Sequence, residues 1–243
     1  MKNKINFQMI SLLQLIFAIL VILLHSNRVF QNDVLHFIQK SLFSRMAVPF
    51  FIVCSSFLIK MKSDQNPNYL PKYLKHSIKS YLLWSFVFVP YGLYYFTTQS
   101  IPSTLIPFGL VIALFYLGMC YHLWYIPAFL TGLLLVETAI KKINFKWTIL
   151  LFFILYTIGS IETYSAYLTH TGIFSLYIDY TSIFFTSRNG VFFTPIFICM
   201  GYLLYHFRDH GFFTHNYDKK LLLAFVALCL EGAIIFPNQG MDK

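Results

Sequence analysis

Leu12-Leu13-Gln14-Leu15-Ile16-Phe17-Ala18-Ile19-Leu20-Val21-Ile22-Leu23-Leu24-His25 is the stretch whose reading decides the fold. It lies in an apolar run from residue 7 to residue 26, and about 20 mostly apolar residues suffice for a helix to cross the hydrocarbon core of a bilayer. Lys2 and Lys4 precede the run, as they would in a secretory signal, but no small-residue cleavage site follows it. His25, Asn27 and Arg28 follow instead, so the segment reads as an uncleaved first span.

Runs of the same kind recur at 45–59, 80–96, 105–120, 121–140, 147–161, 190–206 and 221–236. They predict an all-α protein, a polytopic transmembrane helical bundle of about seven or eight membrane helices, with residues 1–243 forming one domain. Composition agrees: 58% of the 243 residues are hydrophobic and 11% are charged, against about 25% charged in a soluble domain. The formal charge is +9, but the basic residues cluster in short segments beside apolar runs. That is the pattern of cytoplasmic loops, and no basic stripe on a polar surface points to nucleic acid. The expected partner is the lipid bilayer. Cys54, Cys120, Cys199 and Cys229 lie inside or at the edge of apolar segments, without CxxC or Cys/His spacing. They read as small buried hydrophobes rather than as disulfide or metal ligands.

The bias of Lys and Arg sets an expected orientation. Lys2 and Lys4, the basic loop from Lys60 to Lys79, Lys141 to Lys146 and Arg208 to Lys220 should be cytoplasmic. The count closes if 105–120 is re-entrant or tilted rather than crossing. Arg28, Asp33, Arg45, the Tyr121-His122-Leu123-Trp124 motif and the mixed stretch 162–189 then fall outside. The sequence stops at Asn238-Gln239-Gly240-Met241-Asp242-Lys243, just after a span, which reads as a loop cut short and a domain lacking its last helices.

Ionisable groups within spans are costly, by about 2.5–3.5 kcal/mol at the bilayer centre on insertion scales, and so point to function. His25 closes the first span, and Gln14, eleven residues earlier, shares its helical face. Arg45 stands at the start of the second span. His122 and Trp124 open the fifth. Arg188-Asn189-Gly190 opens the seventh, and Lys79 precedes the third. Glu231 sits mid-run and requires a partner; the expectation is that Arg188 and Glu231 approach one polar cavity. Each has a plainer reading: an interfacial His, a snorkelling Arg, an aromatic belt, an Asn helix cap, a Lys anchor. Together they form a chemically coherent set. His serves as a general base towards a hydroxyl or accepts an acyl group, and Arg and Lys hold the phosphates of an anionic donor. No P-loop, zinc motif or Ser-His-Asp spacing competes with them.

Four stretches carry a resemblance: the first span ending in His25; Arg45-Met46-Ala47-Val48-Pro49-Phe50-Phe51 with Ser55; Tyr121-His122-Leu123-Trp124-Tyr125; and Ser187-Arg188-Asn189-Gly190-Val191-Phe192-Phe193-Thr194-Pro195. In their order and spacing the chain resembles the acyltransferase 3 family of membrane acyltransferases. Within that family it resembles the membrane domain of the membrane-bound serine/alanine racemases of vancomycin-resistant Gram-positive bacteria. Glu231 and Met241-Asp242 fall where the family has similar residues. The resemblance implies a domain of about ten helices and transfer of an acyl group, expected to be acetyl, from cytoplasmic acyl-CoA to a hydroxyl of a cell-envelope glycan. It gives His25 the catalytic role, Gln14, Arg45 and Ser55 supporting roles, and Lys79, His122, Trp124, Arg188, Asn189 and Glu231 substrate contacts, with no metal. Two positions depart from the pattern: Gln14 stands where the family has Arg or Lys, and Ser56 where it has Gly. A non-catalytic amino-acid (serine) binding or transport module of a racemase system is the alternative expectation, and an inactive fragment a third.

Overall fold

The structure, a computed structural model, describes residues 5–99 and 102–237; the expectations placed on Lys2, Lys4, Met241 and Asp242 lie outside them. The described residues are helical or irregular, with no strand among them. Three helical stretches among them are long and apolar enough to cross a membrane: Phe7–His25, Asp33–Gln65 and His122–Tyr164.

Helix α1 (Phe7–His25) starts at Asn6, whose side chain accepts the Met9 N–H. Ile10, Leu13, Gln14, Phe17, Leu20, Val21 and Leu24 form one half-buried stripe at helical spacing, with Leu23 half-buried beside it. The rest of its surface is exposed and apolar, which suits lipid on that side. Helix α2 (Asp33–Phe37), capped by Asn32 through the Val34 and Leu35 N–H groups, runs on through a π-helical turn (Ile38–Phe43) and a 3₁₀ turn (Ser44–Met46) into α3 (Ala47–Gln65). The helical stretch that carries the second predicted span, expected from near Arg45, begins at Asp33, and Arg45, expected in an outer loop, lies within it. Pro49 withholds the N–H that would bond the Arg45 carbonyl, and the backbone narrows to 3₁₀ just before it.

The predicted basic loop from Lys60 to Lys79 is also mostly helix. Lys60 and Lys62 lie on α3; Lys72, Lys75 and Lys79 lie on α4 (Tyr69–Val87); only residues 66–68 are outside both. The third predicted span breaks at Phe88, between α4 and α5 (Val89–Thr98). Pro90 causes this, since its ring clashes with the Phe86 carbonyl and cannot donate to it. Residues Ser103–Leu117, containing α6 (Ile106–Ile112), make an apolar helical stretch shorter than a full crossing. It stops at Gly118, where φ is +83° and a Cβ would lie 2.5 Å from the Trp124 nitrogen.

Helix α7 (Tyr125–Gly159) has non-helical backbone at Asn144, with φ 60° and ψ 169°. A straight helix would separate Ala128 from Gly159 by about 46 Å. Yet a Cβ on Gly190 would lie 2.8 Å from the Ala128 carbonyl, and one on Gly159 would lie 2.9 Å from Phe192. Trp124 and Tyr156, from the two ends, both pack on Phe193. α7 is thus a helical hairpin that folds back at Asn144. Asn144 then caps the second arm, its side chain accepting the Trp147 N–H and its carbonyl accepting the Thr148 hydroxyl. The two spans read from 121–140 and 147–161 are these arms, and Lys141, Lys142 and Lys146 flank the bend.

After α8 (Ile161–Tyr164) and α9 (Gly172–Phe184), α10 (Thr194–His206) covers only the later part of the run predicted at 190–206, because residues 190–193 form a turn. α11 (Gly211–Thr214) and α12 (Tyr217–Ile235) follow.

The chain divides into two compact units, one made of residues up to Phe57 and from Met200 onward, the other of Leu58–Cys199. In the first, Phe17 stacks on Phe50 at 4.0 Å between ring centres and Gln14 Nε2 donates to Cys54 Sγ at 3.7 Å. Residue numbers on α3 fall as those of their partners on α1 rise, so the two helices run antiparallel. Ser56 is fully buried, and a Cβ on Gly201 would lie 2.7 Å from its own. Small residues that let backbones approach are a common device for packing membrane helices. α12 is almost wholly exposed except at Gly232, which abuts Leu42, and at Phe236, edge-on to Phe37. In the second unit the core gathers Leu133, Val136, Thr148, Thr194 and Ile198. Thr194 Oγ1 donates to the Ala128 carbonyl at 2.9 Å, and Gly132 leaves the room that the Thr194 side chain fills. Of the four cysteines, Cys120 and Cys199 are buried as expected, Cys54 is half-buried and Cys229 is exposed.

Candidate functional site

The first unit holds five of the expected site residues, Gln14, His25, Arg45 and Ser55 on its N-terminal helical segments and Glu231 on α12. α1 carries Gln14 within its packed stripe and His25 as its last residue, exposed at the helix end. Arg45 is half-buried in the 3₁₀ turn Ser44–Met46, and this turn packs against α1. Ser55 is half-buried on α3, one residue from the Cys54 that receives the Gln14 hydrogen bond. Here Gln14 does with a neutral amide what a longer cation would do differently: it holds α1 to α3. Ser56 keeps its hydroxyl without a hydrogen-bond partner among the described residues; its place is set by the close approach of Gly201. Glu231 lies on the exposed surface of α12.

The second unit contains a polar cluster built on the turn that leads into α10. Glu162 of α8 accepts hydrogen bonds from Thr186 Oγ1 at 3.0 Å and from both the backbone N–H and the hydroxyl of Ser187. Arg188 Nε lies 3.4 Å from the same carboxylate. Arg188 thus finds its acid in Glu162, within its own unit. Burial pushes the Tyr177 phenol upward; the neighbouring Glu162 carboxylate adds to this and the Arg188 guanidinium opposes it.

Asn189 is 3% exposed, and both ends of its amide are in use. Oδ1 accepts the Val191 and Phe192 N–H groups at 2.8 and 3.0 Å. Nδ2 donates to the Tyr116 hydroxyl at 2.8 Å, to the Tyr180 hydroxyl at 3.3 Å and to the Thr186 carbonyl at 3.0 Å. Gly190 presses on Thr131 and the Ala128 carbonyl, where a Cβ would lie 2.6 and 2.8 Å away. Within the Ser187-Arg188-Asn189-Gly190 motif, three residues build the turn and Arg188 alone is exposed. Lys79 is exposed on α4, and His122 is exposed with Nδ1 3.6 Å from Cys120 Sγ. Trp124 is half-buried, edge-on to Phe193.

Glu162, Tyr116 and Tyr180 were not among the residues singled out from the sequence. The only signal for Glu162 was a lone acid directly after an apolar run; its partners lie 24 to 26 positions along the chain. Nothing in local spacing marks Tyr116 or Tyr180 among the many aromatics.

The family model of the acyltransferase domain matches residues 8–241. The chain belongs to the acyltransferase 3 family. Proteins of this family are membrane proteins, in keeping with the exposed apolar helices. This acyltransferase-family chain is also similar to a serine/alanine racemase of Enterococcus gallinarum, 34% identical over 66% of the chain and 23% of that protein. Two amino-acid racemases of Enterococcus faecalis match as well, at 28% identity over 82% of the chain and 28% of the relative, and at 32% over 66% and 24%. The alignments thus span about a quarter of each relative's length. No solved structure matches the chain.

Proposed function

We propose that this chain is the acyl-transferring part of a multi-pass cell-membrane protein, folded as one domain of seven or eight spans, which moves an acyl group from acyl-CoA to a hydroxyl of a cell-envelope glycan. Acetyl is the expected group. The observation that carries the reading is the family match across residues 8–241. The geometry supports it: His25 ends α1, and the turn bearing Arg45 packs against that helix.

In this reading His25 removes the proton of the acceptor hydroxyl as the oxygen attacks the thioester carbonyl. The tetrahedral intermediate collapses with cleavage of the C–S bond. The CoA thiolate leaves and takes the proton from His25, so the base is regenerated. Arg45 offsets negative charge on the carbonyl oxygen or orients the imidazole, while Gln14 and Ser55 hold α1 and α3 around it. Lys79, on the same helix as Lys72 and Lys75, serves the phosphates of the donor. His122, Trp124, Arg188 and Glu231 are left to the acceptor. Asn189 contributes by shaping the turn that presents Arg188.

The test is glycan acylation in cells carrying the intact gene. His25→Ala should abolish it at unchanged protein level in the membrane. Unaltered acylation in that strain removes His25 from the mechanism and the reading with it.

A second reading draws on the relatives' names. The chain would be a non-catalytic module handling amino acids, serine among them, for a racemase. Uptake of labelled serine by vesicles containing the protein, insensitive to His25→Ala, would favour it over acyl transfer.

A further inference from the structure

Gln39 is a buried amide, 9% exposed, with no place in the site described so far. Its Nε2 donates to the Leu23 carbonyl at 3.0 Å and to the Ser44 hydroxyl at 3.3 Å. Leu23 lies in the last turn of α1, two residues before His25, where carbonyls lack partners within the helix. Ser44 is fully buried and immediately precedes Arg45. One amide group therefore ties the turn that carries His25 to the turn that carries Arg45, using one hydrogen for each.

The local backbone explains how it reaches both. Residues Ile38–Phe43 form a π-helical turn, and the Ser44 N–H bonds the Gln39 carbonyl five residues back. The wider turn brings positions five apart into register, so the Gln39 side chain meets the Ser44 hydroxyl while its backbone holds the Ser44 nitrogen. Regular α-helix would bond the Phe43 nitrogen instead and rotate Ser44 away. π-Turns of this kind are frequent at functional sites.

We propose that Gln39 is a positioning residue that fixes His25 relative to Arg45, through its paired hydrogen bonds to Leu23 and Ser44; this rests on the reading of His25 as the base. The amide is required. A carboxylate at this place would set acceptor against acceptor at Leu23. Asn would fall one methylene short, and an apolar side chain would leave the Leu23 carbonyl with only the Ser26 hydroxyl of its own helix end, 3.0 Å away, and no donor from the neighbouring segment.

The experiment compares the full-length protein with Gln39→Met, Gln39→Glu and the milder Ser44→Ala, which removes one of the two bonds. Two readouts are taken on protein that extracts as a single species. Amide hydrogen exchange in residues 23–28 should speed up about tenfold in Gln39→Met, and less in Ser44→Ala, with exchange in α4 unchanged. Acyl transfer should lose about 10- to 100-fold in kcat with KM for the acyl donor unaltered, as expected when a reacting group is misplaced while substrate binding stays intact. Unchanged exchange at 23–28 in Gln39→Met overturns the tie. Faster exchange with undiminished kcat overturns the positioning role. Faster exchange in a protein whose wild type transfers no acyl group overturns the acyltransferase reading alone and supports the tie.

Discussion

Arg188 and Glu162 form an ion pair, Nε to Oε1 3.4 Å, in which the acid is the anchored partner and the base the free one. The Glu162 side chain is 16% exposed and fully engaged by Thr186 and Ser187, whereas the Arg188 side chain is 43% exposed. The two ends of the pair therefore have different consequences when removed.

Glu162→Ala should cost about 3 kcal/mol of stability, since it strips the partner from a hydrogen-bonded turn. Arg188→Ala should cost less than about 1 kcal/mol, as for an exposed pair. Thermal unfolding in detergent ranks the two. If Arg188→Ala lowers Tm as far as Glu162→Ala, the anchoring assignment is wrong. On the proposed function, Arg188→Ala should still weaken acceptor use at this nearly unchanged Tm.

The bend in α7 rests on Asn144, whose φ of 60° and ψ of 169° form a conformation that Gly adopts readily and that penalises β-branched residues most. Asn144→Gly should keep the fold within about 1 kcal/mol. Asn144→Val should destabilise by about 1–3 kcal/mol. Equal Tm values for the two variants would contradict a fixed bend at this residue.

The Lys-rich helix ends near Lys72 and the bend near Lys142 should face the cytoplasm. Single cysteines placed there, in a background without the native four, should resist an impermeant thiol reagent applied to intact cells. Labelling of either from outside reverses the orientation.

Gln14→Arg places on the first helix the charge that the family resemblance leads one to expect there. On the proposed mechanism it should raise the rate of acyl transfer. The change also removes the hydrogen bond to Cys54, so Tm is read alongside. A stable Gln14→Arg protein with no gain in rate would show that the missing charge does not limit this chain.

Much of the fold was legible because a bilayer leaves few alternatives. Backbone groups in hydrocarbon must be bonded internally, so long apolar runs become helices, and the run ending at His25 is a helix with the bounds read from it. Pro90 and Asn144 shifted the outcome within runs whose hydropathy is continuous. The helix that carries the second run starts earlier than hydropathy indicates, because residues 33–44 mix charges with apolar residues and the cap at Asn32 is a short, weak signal next to hydropathy.

The candidate site was legible to the extent that single residues advertise themselves. His25, Arg45 and Arg188 stand out as polar groups in apolar surroundings. Asn189 stood out too; its side chain holds the turn at residues 190–193, ahead of α10 rather than at the first turn of that helix. Glu162 and Gln39 did not stand out, since each draws its meaning from partners distant in sequence.

The sequence by itself determined the helical class, because composition and periodicity act residue by residue; it carried the family in its motifs, matched across residues 8–241, and it named the groups able to do acid–base chemistry. Only the tertiary structure decided which of those groups are free. Hydrogen-bond donors and acceptors are few and directional; once Asn189 has spent its amide on Tyr116, Tyr180 and its own turn, and Glu162 its carboxylate on Ser187, the chemistry left for a substrate is that of the side chains the packing leaves exposed, Arg188 among them.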